Sequence, residues 1–178
     1  MPDLRERVEE DRGLLKRIQL LVPGFAGYRR KEDIRAADNM LRIQIADRLR
    51  GLRSKAEKCR ASLVETYETK NLEKLGNLLS SFQAVEGKLR HTEQGYSGIS
   101  PAIRVDVREL NMLYEYDLSL LEGVERMDAD LGRLRSETES KEWEAMSTMI
   151  SGLRTGLEEF ETVMDKRMRV ITGTGVTE

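Results

Sequence analysis

The feature that most constrains the fold is one apolar stripe that runs without interruption from about residue 28 to residue 66. Its members recur every three or four residues, which is the repeat of a coiled-coil or bundle seam. They are Ile34, Ala37, Leu41, Ile45, Leu49, Leu52, Ala56, Cys59 or Arg60, Leu63 and Tyr67. At 1.5 Å per residue, a helix of this length measures on the order of 55–60 Å. A rod of that length must lie against another long element, in this chain or in another one.

Two breaks in the helical pattern divide the rest of the chain. Residues 22–27 contain a Pro-Gly pair and a second glycine, and residues 95–101 contain two glycines and a proline. Both compositions interrupt helices. The predicted helices therefore span residues 3–21, 28–66, 72–93, 105–135 and 141–171, followed by a disordered tail at 172–178.

The boundaries between neighbouring helices are less sharply marked. A short polar turn before Asn71, a plausible N-cap, predicts an antiparallel hairpin of the second and third helices. The polar residues 136–140 favour a break, although a kink or an exposed stretch of one long helix would also fit. No alternating strand pattern of useful length occurs. The sequence thus predicts a single all-α domain, an elongated, coiled-coil-like hairpin or bundle of three to five long amphipathic helices.

The charge composition indicates wide solvated helix faces. Charged residues make up 35% of the chain and aromatic residues 5%, whereas about 25% charged residues is typical. The net charge is −2, but residues 28–60 hold eleven basic and five acidic groups, and residues 101–178 hold ten basic and seventeen acidic groups. We expect the basic helix to pack beside the acidic ones. The alternative, nucleic-acid binding through residues 29–60, is disfavoured because residues 29–60 contain no aromatic side chain.

Most catalytic machinery is excluded by two residue counts. His91 is the single histidine and Cys59 the single cysteine. One histidine cannot build a helix-bundle di-iron site or a histidine pair for zinc. We expect His91 to be a solvated residue at a helix end, and Cys59 to be a buried, inert thiol. We predict no catalytic residue, no metal site and no cofactor.

Localisation is predicted to be cytoplasmic. The lone thiol fits a reducing compartment. The first residues are charged throughout, unlike a signal peptide, and no apolar run approaches the roughly 20 residues of a membrane-spanning helix.

Three carboxylates are candidates for burial. Asp117 falls on the apolar side of its helix and would need a partner there, for which an arginine of the basic helix would serve. Asp38 and Asp47 flank the apolar stripe and have the same interpretation. A satisfied buried ion pair is favoured over a catalytic acid.

Two tyrosines beside loops are candidates for an interaction surface. Tyr28 lies next to Arg29 and Arg30, and Tyr96 lies in the glycine-rich break. Binding residues concentrate at such positions. The alternative is that each ring caps the end of the bundle.

Two stretches together resemble a family of uncharacterised prokaryotic helical proteins. The first is GYRRKEDIRAAD at residues 27–38, continuing through Leu41-Arg42 to IADRL at 45–49, and the second is GYSG at 95–98 followed by LYEYD at 113–117. The resemblance covers about residues 23–125. Members of this family are sometimes associated with membrane-scaffold proteins of the SPFH type. The resemblance therefore implies a possible partner and no activity.

The expected function is that of a non-enzymatic interaction or scaffold protein that self-associates or docks on another protein. A peripheral adaptor that reaches the membrane indirectly, through a membrane-bound partner, is the first alternative. Nucleic-acid binding through the basic helix is the second.

Overall fold

The structure is a computed structural model that describes residues 4–28, 31–91 and 107–172. Within these ranges it contains α-helices and no strand, so the all-α prediction is confirmed. The helices are α1 (Leu4–Leu21), α2 (Lys31–Val64), α3 (Thr69–His91), α4 (Val107–Ser140) and α5 (Trp143–Thr172). The glycine-rich break at 95–101 and residues 173–178 of the predicted tail lie outside the described residues.

Helices α2 to α5 form a four-helix bundle made of two antiparallel hairpins, α2 with α3 and α4 with α5. The hairpins lie side by side, with α2 against α4 and α3 against α5. Residue numbers increase in the same direction along α3 and α5: Asn71 donates a hydrogen bond to Trp143, and Lys88 pairs with Glu161. Both hairpins therefore have their turns at the same end of the bundle, here called the turn end.

The apolar stripe of α2 lines the core as predicted. Its members from Leu41 to Leu63 are buried, together with matching leucines of α3, α4 and α5. Tyr67, predicted to close the stripe, is instead 91% exposed. The reason is that α2 ends at Val64, and Tyr67 lies in the following turn with a φ of 58°.

The turn between α4 and α5 comes just after the polar stretch in which a break was favoured. Residues 136–140 are helical, and the helix ends because Lys141 adopts a φ of 60°. The amide of Glu142 donates to the carbonyl of Glu137 (3.0 Å), and the amide of Lys141 donates to that of Thr138 (3.3 Å). This is the Schellman arrangement, with lysine where glycine is usual.

The start of α3 differs from the prediction in one respect. Asn71 is not the N-cap, because the helix begins at Thr69 and Glu68 accepts a hydrogen bond from the Asn71 amide (3.4 Å). Asn71 is buried and donates from Nδ2 to the carbonyl of Trp143 (3.0 Å). The residue thus ties the two hairpins together at the turn end.

The α1 arm, residues 4–28, lies on the bundle, with its helix against α4 and its C-terminal end beside α2. Helix α1 packs against α4, where Arg17 pairs with Glu122, and the Arg48 side chain of α2 donates to the carbonyl of Leu21. The chain then folds back through Gly24 and Gly27, whose φ angles of 85° and 83° suit glycine. The arm covers the half of the α2/α4 groove that is farther from the turn end.

None of the helices in the described ranges combines the length and the apolar character that a bilayer crossing needs.

Candidate functional site

The described residues contain a buried polar cluster beneath the α1 arm, with the Arg167 guanidinium at its centre. Arg167, only 2% exposed, comes from the last turns of α5. Its Nε donates to Asp117 Oδ1 (2.5 Å) and its Nη1 to Asp38 Oδ1 (2.5 Å). Its Nη2 donates to the Tyr28 hydroxyl (2.8 Å). One side chain thus joins α2, α4, α5 and the α1 arm.

The remaining groups of the cluster are satisfied by one another. The Tyr28 hydroxyl donates to Asp117 Oδ2 (2.5 Å), and Arg42 Nε donates to Asp38 Oδ2 (2.8 Å). Arg42 Nη1 donates to the carbonyl of Leu89 at the end of α3 (2.9 Å). Two arginines therefore face two aspartates, and the buried charges balance.

Two of the three predicted buried carboxylates are in this cluster. Asp38 and Asp117 are buried. The prediction that an arginine of the basic helix pairs with Asp117 is wrong, because Arg167 of α5 fills that role. The basic helix contributes Arg42, which lies one turn after Asp38 and reaches that carboxylate instead.

The prediction that Asp47 is buried is also wrong. Its side chain is 56% exposed and pairs with Arg90 of α3 (2.6 Å). The reason is helical geometry. A step of two residues turns a helix by about 200°, so Asp47 points away from the core side that Ile45 and Leu49 define.

Tyr28 was predicted to lie on an interaction surface, and the structure contradicts this. Tyr28 is 3% exposed, and its ring lies against Phe25 (5.4 Å between centroids) and Tyr114 (5.3 Å). Its amide donates to the Tyr114 hydroxyl (3.0 Å). The alternative interpretation, a ring that closes the bundle, fits this position. The other predicted surface residues, Arg29, Arg30 and Tyr96, lie outside the described residues.

The sequence analysis missed Arg167, although a signal was present. Leu153, Leu157, Phe160 and Met164 follow one another at steps of four, three and four, and the next step of three reaches Arg167. The heptad pattern therefore places this arginine on the core side of α5.

Burial governs the protonation of the cluster. Burial raises the pKa of the Tyr28 phenol well above its usual value, so the hydroxyl stays protonated and can donate. Burial also raises the pKa of Asp117, against the opposing charge of Arg167. For Arg167, burial would lower the pKa, but the charges of Asp117 and Asp38 raise it well above the usual value.

The geometry gives the cluster a structural role. The cavity beside Arg42 and Arg167 measures about 10 Å³, barely the space of one water molecule. A substrate cannot reach the charged groups without unpacking the bundle. In the part of the chain that the structure describes, no group of three histidine, cysteine or acidic side chains is placed to hold a metal ion.

The second feature is an open furrow between α2 and α4, in the half of the groove that the α1 arm leaves uncovered. Two depressions of about 570 and 270 Å³ follow one another along it and share Lys55. The furrow begins at Arg48, which bonds the end of α1, and reaches Ser62 near the turn end. The lining residues are Arg48, Gly51, Leu52, Lys55, Lys58, Cys59 and Ser62 of α2, and Val124, Glu125, Asp128, Leu131, Gly132, Arg135, Thr138 and Glu139 of α4.

Cys59 contributes to the floor of the furrow and is buried, as expected. Burial raises the pKa of its thiol. A thiol that stays protonated near neutral pH is a poor nucleophile. The arrangement therefore gives Cys59 a packing role.

Two apolar side chains are exposed at the turn end, beyond the furrow. Val64 is 59% exposed, and Tyr67 protrudes from the turn between α2 and α3. At the other end, Leu20 in the last turn of α1 is also exposed. Single exposed apolar side chains are common on protein surfaces, so these three do not by themselves define an interaction surface.

Several basic residues of α2 form ion pairs with carboxylates of neighbouring helices. Arg50 and Arg53 face Glu86 of α3 (3.0 and 3.4 Å), and Lys55 pairs with Asp128 of α4 (2.5 Å). The expected packing of the basic helix against an acidic one is therefore observed for α4, while Glu86 of α3 supplies a further partner.

The fold and these two features define a class of protein: an all-α bundle with a closed, buried ion cluster and with its first helix packed on α4. No protein family model matches the chain, and neither the curated proteins nor the solved structures contain a significant match.

Proposed function

We propose that this chain is a non-enzymatic helical interaction protein that binds another protein in the open furrow. The observation that carries the proposal is the unequal filling of the α2/α4 groove. One half is covered by the α1 arm, and the other half is an open furrow beneath which Leu52, Cys59 and Leu131 are buried. Ligand and partner sites are typically concave and largely apolar, with a few polar groups at the edge.

The buried cluster supports this function indirectly. Because Tyr28 is held by Asp117 and Arg167, the α1 arm is anchored on the bundle beside the start of the furrow at Arg48. A binding surface built on rigid helices loses little conformational freedom when it is occupied.

The two alternative functions make different use of the charges. Nucleic-acid binding requires basic side chains that are free to reach phosphates, whereas Arg50, Arg53 and Lys55 of α2 already face carboxylates. A peripheral adaptor that acts through a membrane-bound partner remains compatible with the proposal, since it too would bind a protein.

The test compares proteins captured from the native cell by tagged wild-type chain and by two glutamate variants. A Cβ added at Gly132 in the furrow, or at Gly152 on the exposed face of α5, meets no atom within 4 Å. Both variants should therefore fold, which circular dichroism will check. We expect Gly132→Glu to lose partners that the wild type and Gly152→Glu retain in quantitative mass spectrometry.

Self-association is measured in parallel by analytical ultracentrifugation of the same three proteins. A dimer that only Gly132→Glu dissociates would identify a second copy as the partner. Identical captured proteins and identical sedimentation for all three would contradict the proposed function.

A further inference from the structure

A continuous chain of hydrogen bonds crosses the bundle from the α1 arm to the end of α3. The Tyr28 hydroxyl accepts from Arg167 Nη2 (2.8 Å), and Arg167 Nη1 donates to Asp38 Oδ1 (2.5 Å). The other oxygen of Asp38 accepts from Arg42 Nε (2.8 Å), and Arg42 Nη1 donates to the carbonyl of Leu89 (2.9 Å). Four bonds thus link the arm, whose helix lies on α4, to α3, which packs on α2 and α5.

The side chains in this chain of bonds are shielded from solvent. Tyr28 and Asp38 are each 3% exposed, Arg167 is 2% exposed and Arg42 is 5% exposed. Water cannot readily replace a lost partner at such positions, so a broken bond leaves a buried polar group unsatisfied. Buried hydrogen bonds in a network also polarise one another. A change at the Tyr28 end therefore alters the bonds that follow it.

The two guanidinium groups make the chain of bonds stiff. A guanidinium is planar and presents its donors in a fixed fork, so one donor cannot move independently of the others. If Arg167 rotates after it loses Tyr28, its Nη1 moves relative to Asp38. Because Asp38 also holds Arg42, the carboxylate can follow only by displacing Arg42.

The far end of the chain of bonds is a helix terminus that Arg42 caps. Leu89 lies in the last turn of α3 (Thr69–His91), where backbone carbonyls have no partner within the helix. Its carbonyl accepts from Arg42 of α2 instead. The last turn of α3 therefore receives its cap from a neighbouring helix, and Asp38 holds that cap in place.

We infer that the α1 arm and the end of α3 are energetically coupled through Arg167, Asp38 and Arg42, so that displacement of the arm loosens the last turn of α3. The buried cluster then acts as a conformational device, because an event on the arm changes the stability of a helix end on a different element. The coupling does not involve the open furrow, so its test is independent of the proposed function.

A double-mutant cycle measures the coupling. Urea unfolding followed by circular dichroism gives the unfolding equilibrium constants of the wild type, Tyr28→Phe, Arg42→Met and the double variant. For independent sites, the effect of the double variant equals the product of the two single effects. We expect the double variant to be affected less than this product by at least about fivefold, because either substitution alone already interrupts the chain of bonds. Arg42→Lys replaces Arg42→Met if the methionine variant does not fold.

The matched control combines Tyr28→Phe with Arg50→Met. Arg50 also connects α2 to α3, through Glu86 (3.0 Å), but it lies outside the chain of bonds. Its effect and that of Tyr28→Phe should multiply to within about twofold.

Hydrogen–deuterium exchange locates the effect within α3. In Tyr28→Phe, amides of residues 84–91 should exchange at least about threefold faster than in the wild type, while those of residues 75–82 should not change. The increase should stay smaller than the increase over α1. In an Asp38→Asn background, which interrupts the chain of bonds at its centre, Tyr28→Phe should no longer affect residues 84–91.

Three results would overturn the inference. The first is that the effects of Tyr28→Phe and Arg42→Met simply multiply. The second is unchanged exchange at the end of α3 in Tyr28→Phe. The third is an equal departure from multiplication in the Arg50 pair, which would mean that the variants loosen the whole bundle.

Discussion

At the scale of single residues, the buried Arg167 joins four elements of the described fold. It is a charged side chain in the core, and each of its three guanidinium nitrogens donates to an acceptor on a different element. Burying a charge is unfavourable unless it is paired and hydrogen-bonded. The guanidinium satisfies this requirement through its planar fork of donors, which a lysine could not reproduce.

We predict that Arg167→Met destabilises the protein by about 3–5 kcal/mol, because it leaves Asp38 and Asp117 buried without their shared partner. Urea unfolding measured by circular dichroism will test this. Arg167→Lys keeps the charge but loses the fork geometry, so its effect should be intermediate. Arg154→Met removes an exposed pair with Glu158 and should change stability by less than about 1 kcal/mol. A comparable loss in Arg154→Met and Arg167→Met would contradict the role of the cluster.

A second prediction concerns Lys141, whose φ of 60° is unfavourable for a residue with a side chain. The left-handed conformation costs an L-residue about 1–2 kcal/mol. We expect Lys141→Gly to stabilise the protein by about 1 kcal/mol, since the gain exceeds the added flexibility of the unfolded chain. A rise in melting temperature checks it. Glu142→Gly, at the neighbouring position, serves as the control and should not stabilise.

At the scale of elements, the α1 arm is fastened to the bundle both by its helix and by the residue that ends the arm, Tyr28. The Tyr28 hydroxyl contacts both Asp117 of α4 and Arg167 of α5. Gly27 permits this approach, because a Cβ at that position would lie 2.8 Å from the Tyr114 hydroxyl. The arm is therefore fastened at its last residue, and this attachment sets the position of α1 on the bundle.

We expect Tyr28→Phe to loosen the α1 arm. Removing the hydroxyl leaves a buried carboxylate oxygen and a guanidinium nitrogen without a partner, at a cost of about 1–3 kcal/mol. Hydrogen–deuterium exchange should increase over α1 (Leu4–Leu21) more than over α3 (Thr69–His91). Tyr67→Phe removes an exposed hydroxyl and should leave the exchange unchanged. Equal acceleration in α1 and α3 would show that Tyr28 does not anchor the arm specifically.

At the scale of the whole molecule, ion pairs between helices make stability depend on pH. Glu86 of α3 faces Arg50 and Arg53 of α2 as well as Arg90. Burial alone would raise the pKa of Glu86, but the hydrogen bonds from Arg50 and Arg90 outweigh burial and hold the pKa below its usual value of 4.5. A lowered pKa in the folded state adds stability above the unfolded-state pKa, and this stability is lost as the pH falls through the folded-state value.

The corresponding prediction compares wild type with Glu86→Gln between pH 7 and pH 3. At pH 7 the variant should be less stable by about 1 kcal/mol, a modest value because Arg50 is largely exposed. The difference should shrink as the pH falls below about 4.5, since the wild-type carboxylate then becomes protonated. Chemical unfolding at each pH measures it, with Glu158→Gln as the exposed control. A difference that grows on acidification would contradict the assignment.

The sequence alone was sufficient for the helical class and for much of the core. Period-three and period-four spacing of apolar residues places Leu41, Leu49 and Leu63 on one side of α2 wherever the helix lies. The same local rule identified Asp38 and Asp117 as carboxylates on apolar faces. Local conformation is encoded within a few residues, so these conclusions needed no knowledge of the partner helices.

The tertiary structure decided which elements meet. Arg167 reaches Asp38 across 129 positions of sequence, and only the packing of α5 between α3 and α4 brings the two groups together. The burial of Tyr28 and the open half of the α2/α4 groove likewise depend on where the α1 arm folds back. Pairing between distant segments reflects shape and charge summed over whole helices, and a periodic pattern in one segment does not specify its neighbour.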